Sequence, residues 1–427
     1  MPASPPTTVD IHAYCEQLTQ QAQAASASLA MADATARNEA LRAIGRALIE
    51  GRADLSAANA LDLQAGRDAG LSLAMLDRLE LTDAGVDALA ASVRQVADQS
   101  DPVGGIIEGR VLDNGIRLQK IRVPIGVILI IFESRPNVTC DAAALCLKSG
   151  NATILRGGKE AAQTNRAIAQ CVRAGIAAAG LDPACVQLVE TPDRAAVGEL
   201  LKKEGRIDLC IPRGGESLIR AVVEQARIPV IKHYTGNCHV YIDAQCDEQM
   251  AIDICVNAKT HRTGVCNAAE TILFHSDAAQ SGLLRKVCEA LAQQGVEIRG
   301  DARVSAEYAQ ALTATDDDWA AEYLDKIVAM RVVDSLEQAA AHINYYGSKH
   351  TDAIVTCDLA ASDGFVAAID SANVFVNCST RFSDGGQYGL GAEIGISTDK
   401  LHARGPMGAA DLTTYKWVAY GTGQVRP

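Results

Sequence analysis

Short apolar runs alternate with helix-length stretches through the middle of the chain, and this alternation limits the possible folds more than any other feature. The apolar run 125–132 is uninterrupted, which is typical of a strand buried on both faces. The later members of the pattern are the apolar runs 152–155, 186–189, 209–211 and 230–232 and the helical stretches 140–148 and 161–179. The pattern predicts βαβ units and a parallel sheet that ends near Ile242.

A second alternation begins after residue 243 and predicts a further α/β unit. Its predicted members are helices over 247–259 and 278–294 and strands over 271–274, 327–333, 353–355 and 374–377. Upstream of both units, residues 9–99 are rich in alanine and carry apolar residues three and four positions apart, which predicts several amphipathic helices.

Two remaining segments have their own signatures. Residues 111–123 alternate in polarity around Asn114-Gly115, which predicts a hairpin just before the buried strand. The tail from 384 to 408 is rich in glycine and too irregular to form its own core. We therefore expect the tail to wrap other units.

Composition and charge exclude several classes of protein. At 427 residues and 48% hydrophobic content, the chain is long enough for two or three structural units. Its net charge of -13 and its pI of about 5.1 argue against nucleic acid or an anionic membrane as the main partner. Residues 1–8 lack the pattern of a secretory signal, and the run 125–132 is too short to span a membrane, so we expect a cytoplasmic protein.

The thirteen cysteines form no CxxC pair and no Cys/His cluster at zinc-ligand spacing, so we expect reduced thiols and no metal. Cys266 differs from the others in its neighbours. Gly264 lets the backbone turn beside it, and the cationic side chains of Lys259, His261 and Arg262 can favour its thiolate. Cys266 is therefore a candidate nucleophile, although most cysteines are small buried hydrophobes.

Six motifs occur in one order along the chain. They are Phe132-Glu133-Ser134-Arg135-Pro136-Asn137-Val138-Thr139, Leu155-Arg156-Gly157-Gly158-Lys159-Glu160, Pro212-Arg213-Gly214-Gly215, the 257–270 segment around Cys266, Val376-Asn377-Cys378-Ser379-Thr380-Arg381-Phe382 and His402-Ala403-Arg404-Gly405-Pro406-Met407-Gly408. Together they resemble the gamma-glutamyl phosphate reductase family of the aldehyde dehydrogenase superfamily, over nearly the whole chain.

This resemblance implies an α/β fold of the aldehyde dehydrogenase type. Its implied parts are a Rossmann-like cofactor domain, an α/β catalytic domain that carries Cys266, and a small oligomerisation arm. The expected boundaries are 1–243 for the N-terminal helices and the NADP-binding domain, 244–383 for the catalytic domain, and 384–427 for a tail that returns to the cofactor domain and the arm. The hairpin, at about 105–123, belongs to the arm, and the chain is expected to form a homo-oligomer.

The implied reaction is the reduction of L-glutamyl 5-phosphate by NADPH to L-glutamate 5-semialdehyde and phosphate, the second step of proline biosynthesis from glutamate. The Cys266 thiolate would attack the acyl phosphate, phosphate would leave, and hydride would reduce the thioester. Superfamily members that release free acids carry a glutamate base where this chain has His233-Tyr234-Thr235-Gly236-Asn237. The thioester is therefore expected to await hydride or phosphate, with His233 in a structural or substrate-contact role or, alternatively, acting as a base.

Asn137 resembles the asparagine that donates its side-chain amide to the oxyanion in this superfamily. The alternative is that Asn137 is the N-cap of a helix beginning near Thr139, because asparagine is a preferred N-cap residue.

Two glycine-containing turns are the implied cofactor contacts. Arg156-Gly157-Gly158-Lys159 would meet the adenosine phosphate of NADP(H), and Arg213-Gly214-Gly215 would meet the pyrophosphate. Glu322 would hold the nicotinamide ribose. The alternatives are a solvated turn at Lys159, an ordinary turn at Gly214-Gly215 and a solvated surface acid at Glu322.

The substrate carries a phosphate and an amino-acid head, which guanidinium groups bind well. Arg381 and Arg404 are the first candidates, and Arg135 and Arg262 are the alternatives. For each of them, a salt bridge between the tail and the body of the protein is the competing explanation.

Two rival functions remain at this stage. One is an aldehyde dehydrogenase that acylates coenzyme A instead of phosphate. The other is a non-catalytic scaffold of the same fold, which the presence of Cys266, Asn137 and the glycine-rich turns disfavours. If the acyl phosphate is the substrate, a transient glutamate kinase partner is expected, because glutamyl phosphate cyclises readily.

Overall fold

A computed structural model describes residues 10–133 and 135–426, apart from the side chain of Ala74. The N-terminal residues in which we expect no secretory signal, and Ser134 of the first motif, lie outside this description. The described helices are α1 (Ile11–Met31), α2 (Ala34–Glu50), α3 (Arg52–Asp68), α4 (Leu73–Leu79), α5 (Asp83–Asp98), α6 (Asn137–Lys148), α7 (Ala162–Ala178), α8 (Ala195–Leu200), α9 (Glu216–Gln225), α10 (Glu248–Thr260), α11 (Ser276–Gln280), α12 (Leu283–Gln293), α13 (Ala302–Glu307), α14 (Leu336–Tyr346) and α15 (Leu359–Ala368).

The described strands form four sheets. They are β1 (Ile106–Val111), β2 (Arg117–Pro124), β3 (Val127–Phe132), β4 (Ala152–Arg156), β5 (Val186–Leu188), β6 (Leu209–Arg213), β7 (Cys238–Ile242), β8 (Ala269–His275), β9 (Glu297–Gly300), β10 (Leu312–Thr313), β11 (Ile327–Val333), β12 (Thr351–Val355), β13 (Asn373–Val376), β14 (Ile396–Ser397), β15 (Gly405–Pro406) and β16 (Thr413–Tyr420). None of the helices just given combines the length and the apolar character that a membrane span requires.

The described chain divides into two compact units. The first contains residues 10–232, Gly389–Gly395 and 407–426, and the second contains His233–Tyr388 and Ile396–Pro406. The domain boundaries expected at 243 and 383 stay a prediction; the compact units divide between residues 232 and 233, and each contains part of the tail.

The first unit is built on a parallel sheet with the order β5-β4-β3-β6. Its central strand β3 is buried along its whole length, as the apolar run predicts. The predicted N-terminal helices are confirmed, and α2 packs on both α5 and α7. Gly175 of α7 lies so close to the backbone of Ile44 that a side chain would not fit, which explains the close approach of α2 and α7.

The prediction that this sheet ends near Ile242 is wrong. The segment 238–242 forms β7, but β7 pairs with β8 and β12 in the second unit and not with the first sheet. The predicted strand over 230–232 is reduced to a single isolated bridge between Val230 and Cys210. An apolar run shows that a strand is buried, but it carries no information on which strands will be its neighbours.

The second unit contains a parallel sheet with the order β10-β9-β11-β8-β7-β12-β13 among the described strands. The predicted strands are confirmed, whereas the predicted helix 278–294 divides into α11 and α12 at Gly282, which has a φ of 89°. Because β8, β7 and β12 are neighbours and run in the same direction, the residues just before each of them lie at one edge of the sheet.

The predicted hairpin is confirmed as an antiparallel pair, β1 and β2, with Gly115 at a φ of 85° in the turn. The tail strand β16 pairs with β2 and completes a three-stranded sheet. The association of the tail with the hairpin was expected, but β14 and β15 of the same tail pair with each other in the second unit.

Candidate active site

Cys266 lies in the loop between α10 and β8, at the edge of the second sheet where β8 begins. The side chain is partly buried and its thiol is free. The next residue, Asn267, fixes the loop, because its amide donates to the carbonyl of Ser383 at 2.8 Å and its own carbonyl accepts from the Thr380 hydroxyl at 2.7 Å. Two hydrogen bonds of the neighbouring Asn267 therefore anchor the loop that carries the candidate nucleophile.

The segment before β7 packs directly on the backbone of Cys266. A Cβ on Gly236 would overlap the Cys266 backbone, so this close approach requires glycine. The Cys238 thiol donates to the Cys266 carbonyl at 3.1 Å. The motif 233–237, selected for its place in the family pattern, thus supports the nucleophile's backbone.

Two histidines bring their rings to the Cys266 thiol. One ring nitrogen of His233, one of His350 and the Cys266 sulfur all lie within 4.8 Å of one another. The His233 and His350 rings meet edge to face with centroids 5.5 Å apart. His350 precedes β12, and sequence reasoning missed it, because only the neighbouring positions of β7, β8 and β12 bring it to Cys266.

Lys259, expected to favour the thiolate, is paired elsewhere. Its ammonium lies 2.5 Å from the Glu270 carboxylate, and both side chains are fully buried. Burial lowers the pKa of Lys259 and raises the pKa of Glu270 to about 7. The pair joins the last turn of α10 to the start of β8, so its role is to hold the two ends of the Cys266 loop.

Glu322 is partly buried beside the same loop and is not a solvated surface acid. Its carboxylate accepts the Gly236 N–H at 2.8 Å. Glu270 supports this region as well, because its second oxygen accepts the N–H of Leu324, which has a φ of 54°. The acid expected at the nicotinamide ribose therefore also fixes the glycine beneath Cys266.

Arg381 is brought to this region by a short turn at Thr380–Phe382, where the Arg381 backbone N–H donates to the Ser379 hydroxyl at 3.3 Å. Its Nε donates to His261 Nδ1 at 3.3 Å. Burial lowers the pKa of Arg381, Asp384 opposes that shift, and Arg262 and Cys266 are close enough to contribute. Arg381 thus lies beside His261, in the segment that leads to Cys266.

The other two arginines make different contacts. Arg404 donates to the carbonyl and the carboxylate of Asp370 at 3.0 and 3.1 Å, and Lys400 contacts the same carboxylate at 2.5 Å. This is the salt bridge considered as the alternative for Arg404. Arg135 is exposed in the first unit, where its N–H donates to the Glu133 carbonyl at 2.9 Å.

Asn137 is the first residue of α6, and Pro136 is the N-cap, so the N-cap alternative for Asn137 is wrong. The Asn137 amide donates to Asp141 one turn later at 3.0 Å. Burial raises the pKa of Asp141 to about 6, against the opposing effect of this hydrogen bond and of Arg213. The orientation of the amide is thus set within its own helix.

The two glycine-containing turns lie at the same edge of the first sheet. Arg156 ends β4 opposite Ile131, and Arg213 ends β6 opposite Phe132, so they flank the end of β3. Carboxyl ends of parallel strands are the usual place for nucleotides in such sheets.

A cavity of about 140 Å³ opens at the first of these turns. Arg156, Gly157, Gly158 and Lys159 line it, together with residues 188–192. Arg156 contacts the carbonyl of Gly157 and donates to that of Pro192 at 3.3 Å, whereas its Nε is buried and has no hydrogen-bond partner among the described residues. Burial lowers the pKa of Arg156. Two cationic residues, Arg156 and Lys159, therefore line this cavity.

At the second turn, Gly215 is the N-cap of α9, and its N–H donates to the Glu133 carboxylate at 3.1 Å. A Cβ on Gly214 would meet the same carboxylate. The turn therefore already presents an N–H to an anionic oxygen, which is the interaction a pyrophosphate requires.

Comparison with known proteins decides the family. Residues 11–307 match the aldehyde dehydrogenase family. The solved gamma-glutamyl phosphate reductase of Thermotoga maritima is 40% identical to this chain, covers 97% of it and is itself covered in full, with a TM-score of 0.94. The chain belongs to the gamma-glutamyl phosphate reductases of the aldehyde dehydrogenase family.

Two further solved structures are similar to this chain. The Saccharomyces cerevisiae gamma-glutamyl phosphate reductase is 32% identical, with 96% of this chain and 98% of that chain covered and a TM-score of 0.53. An acetylating aldehyde dehydrogenase from Geobacillus thermoglucosidasius shares the fold at 17% identity, with 98% and 99% covered and a TM-score of 0.70. The chain is thus an oxidoreductase of a family that uses nicotinamide cofactors and acts on small molecules.

Proposed function

We propose that this enzyme reduces L-glutamyl 5-phosphate with NADPH to L-glutamate 5-semialdehyde and phosphate, through a thioester on Cys266. The observation that carries the mechanism is the environment of Cys266, whose backbone is held by Gly236 and Cys238 and whose sulfur lies within 4.8 Å of two imidazoles. A thiolate so placed can attack an acyl phosphate, which already carries a good leaving group. Membership in the gamma-glutamyl phosphate reductases supports the choice of substrate.

Cys266 and a neighbouring histidine carry out the first chemical step. The Cys266 sulfur bonds to the acyl carbon, the carbon–oxygen bond to phosphate breaks, and phosphate leaves. His233 or His350 accepts the thiol proton, since an imidazole is the base best matched to neutral pH. NADPH, when bound, supplies the hydride that releases the aldehyde and regenerates the thiolate.

His233 also bears on the fate of the thioester. Its Nδ1 donates to the carbonyl of Ile396 at 2.8 Å, which fixes the ring. A histidine anchored in this way replaces the glutamate that activates water in acid-forming relatives. Slow hydrolysis of the thioester is therefore expected, and it leaves time for hydride transfer.

The reaction is tested in reverse. We expect oxidation of glutamate 5-semialdehyde with NADP+ to require inorganic phosphate, to be slower with NAD+, and to vanish in Cys266→Ala. Cys357→Ala, which removes an exposed thiol, is the matched control and should keep full activity. Oxidation that depends on coenzyme A instead of phosphate would support the acylating aldehyde dehydrogenase, and no turnover with any acceptor would support the scaffold.

Asn137 is proposed as the side-chain donor to the oxyanion of the tetrahedral intermediate. Its place as the first helical residue, with the amide oriented by Asp141, supports a positioned donor. Asn137→Ala should lower kcat by about 100- to 1000-fold, the cost of losing one such donor. A fall in Tm that accounts for the lost activity would instead indicate a structural role.

For the substrate, we propose that Arg381 and Arg262 bind the phosphate and that Arg404 holds the fold through Asp370. Burial and the neighbouring Cys266 support Arg381, and the ion pair with Asp370 supports the second assignment. Arg381→Lys should raise KM with little change in Tm, whereas Arg404→Lys should lower Tm with little change in KM. A raised KM in Arg404→Lys together with a lowered Tm in Arg381→Lys would show that Arg404 binds the substrate and Arg381 holds the fold.

For the cofactor, we propose that the cavity at Arg156-Gly157-Gly158-Lys159 binds the 2'-phosphate side of NADP(H), that Arg213-Gly214-Gly215 meets the pyrophosphate and that Glu322 holds the nicotinamide ribose. The presence of Arg156 and Lys159 in the cavity lining supports the first assignment. Lys159→Ala should weaken NADPH binding, measured by nicotinamide fluorescence, more than NADH binding. Lys202→Ala, at an exposed lysine of the same unit, is the control.

We also propose that the sheet of β1, β2 and β16 joins copies of the chain. Apolar and aromatic side chains remain exposed on it, among them Val111, Trp417 and Tyr420. Trp417→Asp should shift the sedimentation coefficient towards that of the monomer. A wild-type monomer at micromolar concentration would exclude the proposal.

Glutamate kinase is proposed as a transient partner, because the acyl phosphate cyclises in water. In a coupled assay, the yield of semialdehyde should exceed the yield calculated from the release of free acyl phosphate. Equal yields would exclude channelling.

A further inference from the structure

The cluster of His233, Cys266 and His350 unites three of the side chains that most often bind zinc. Spacing along the chain gave no sign of it. The three ligand atoms all lie within 4.8 Å of one another. In a tetrahedral zinc site the same atoms would be on the order of 3.5 Å apart, given zinc–sulfur and zinc–nitrogen bonds of about 2.3 and 2.0 Å. Each of the three atoms would therefore move inward by about 1 Å to bind one ion.

A hydrogen bond made by His233 leaves one of its ring nitrogens able to bind a metal ion. Its Nδ1 lies 2.8 Å from the carbonyl of Ile396, an acceptor, so the ring proton is on Nδ1 and Nε2 carries the lone pair. A backbone carbonyl on the second ring nitrogen is the usual outer partner of a zinc-bound histidine.

His350 is held at least as firmly. It is fully buried, and its Nδ1 contacts the Thr351 hydroxyl at 2.9 Å and the Cys238 sulfur at 3.6 Å. Cys238 in turn donates to the Cys266 carbonyl at 3.1 Å. The second histidine and the backbone of the cysteine are therefore linked, and the three ligands are positioned as one group.

We propose that His233, Cys266 and His350 form a binding site for a thiophilic divalent cation, Zn²⁺ above all, and that the bound cation reversibly blocks the nucleophile. One thiolate and two neutral imidazoles suit Zn²⁺ far better than Mg²⁺ or Ca²⁺, which prefer oxygen ligands. Binding forms a sulfur–zinc bond and releases the thiol proton to solvent, with no change in oxidation state. The fourth position on the metal is taken by water.

Binding of the cation does not rest on the proposed function. Only the predicted inhibition of turnover by the cation rests on it. The full-length chain, freed of metal with a chelator and held in a buffer without phosphate, is titrated with ZnCl₂ by calorimetry and with Co²⁺ by absorption. We expect one ion to bind with high affinity to each chain. With Co²⁺ we expect a thiolate-to-cobalt charge-transfer band. Zn²⁺ should also protect Cys266 from iodoacetamide, measured for each cysteine by mass spectrometry.

Substitution of each proposed ligand tests whether that side chain binds the metal. Cys266→Ser should abolish the cobalt band, and His233→Ala should weaken Zn²⁺ binding by more than the roughly 10- to 100-fold typical of losing an outer-shell partner. His350→Gln should do the same. If His350→Gln fails to fold, because His350 is fully buried, the other two variants decide the question.

His12→Ala and Cys357→Ala remove an exposed histidine and an exposed cysteine, and they are the matched controls that should bind Zn²⁺ like the wild type. Zn²⁺ should inhibit the wild type and a chelator should restore its activity. Unchanged affinity in Cys266→Ser and His233→Ala, or the absence of the cobalt band in the wild type, would overturn the proposal. An inactive wild type that still shows the band would contradict the proposed reaction and leave the metal site intact.

Discussion

The Lys259–Glu270 pair beneath the Cys266 loop gives the sharpest quantitative prediction. The two charged atoms lie 2.5 Å apart, and both side chains are 0% exposed. Replacing Glu270 by Gln removes the partner charge and leaves the ammonium buried without it. The variant therefore measures the cost of one unpaired buried charge.

The size of the effect follows from this geometry. At an effective dielectric constant of about 20, two unit charges this close attract by about 6–7 kcal/mol, and much of that is offset by the loss of hydration. Breaking a buried pair on one side typically costs about 3–5 kcal/mol. For a unit of this size, 1 kcal/mol shifts Tm by about 2–4 °C, so the Tm of the second unit should fall by about 6–20 °C.

The pH dependence has a definite sign. Without Glu270, burial holds the folded-state pKa of Lys259 below its unfolded value of about 10.4. The unfolded chain then binds more protons than the folded chain between these two pKa values, so stability rises with pH across that interval. The Tm deficit of Glu270→Gln should therefore shrink as the pH rises towards about 10.

Scanning calorimetry of the wild type and the variants measures these changes. Glu248→Gln is the matched control, because Glu248 pairs with Lys286 at 2.7 Å with about half of each side chain exposed, and such surface pairs contribute about 0–1 kcal/mol. The double variant Lys259→Met/Glu270→Leu should recover most of the lost stability. A Glu270→Gln protein within about 4 °C of wild type, or a deficit that does not change with pH, would refute the reasoning.

Three further predictions concern the site. Gly236→Ala should lower kcat by at least about tenfold, because its Cβ would displace the Cys266 backbone and misplaced reacting groups can lower the rate by about 100-fold. Gly264→Ala is the control and should keep activity, because a Cβ at Gly264 would meet open space. Arg381→Gln should raise KM more than Arg381→Lys, measured by initial rates, and equal effects would exclude a charge-based contact. Because burial raises the pKa of Asp141 to about 6, its contribution to stability is present at low pH and is lost as pH rises through about 6; Asp141→Asn should remove that part of the Tm-against-pH curve.

Local features were predictable because they depend on neighbours in the chain. The hairpin around Gly115 follows from turn chemistry, and β3 follows from an apolar run longer than a half-buried strand would show. Strand neighbours were not predictable. The strand β7 has the composition of the first sheet's strands, yet it pairs with β8 and β12, which come later in the chain.

The same limit applies to side chains at the site. Lys259 stands near Cys266 in the sequence and was expected to act on the thiolate, but the fold pairs it with Glu270. Glu322 stands in a run of acids and reads as a surface residue, yet it accepts the Gly236 N–H. In both cases the partner comes from another element of the fold, which no local pattern records.

The sequence by itself determined that this chain is an α/β enzyme with Cys266 as its candidate nucleophile, because apolar periodicity and short motifs are local properties. Only the tertiary structure decided which groups surround that thiol. His350 precedes β12 and Gly236 precedes β7, and they reach Cys266 because parallel neighbours β8, β7 and β12 begin at one edge of the sheet. Strand order depends on packing across the whole unit, and this packing brings two imidazoles and a thiol into one cluster.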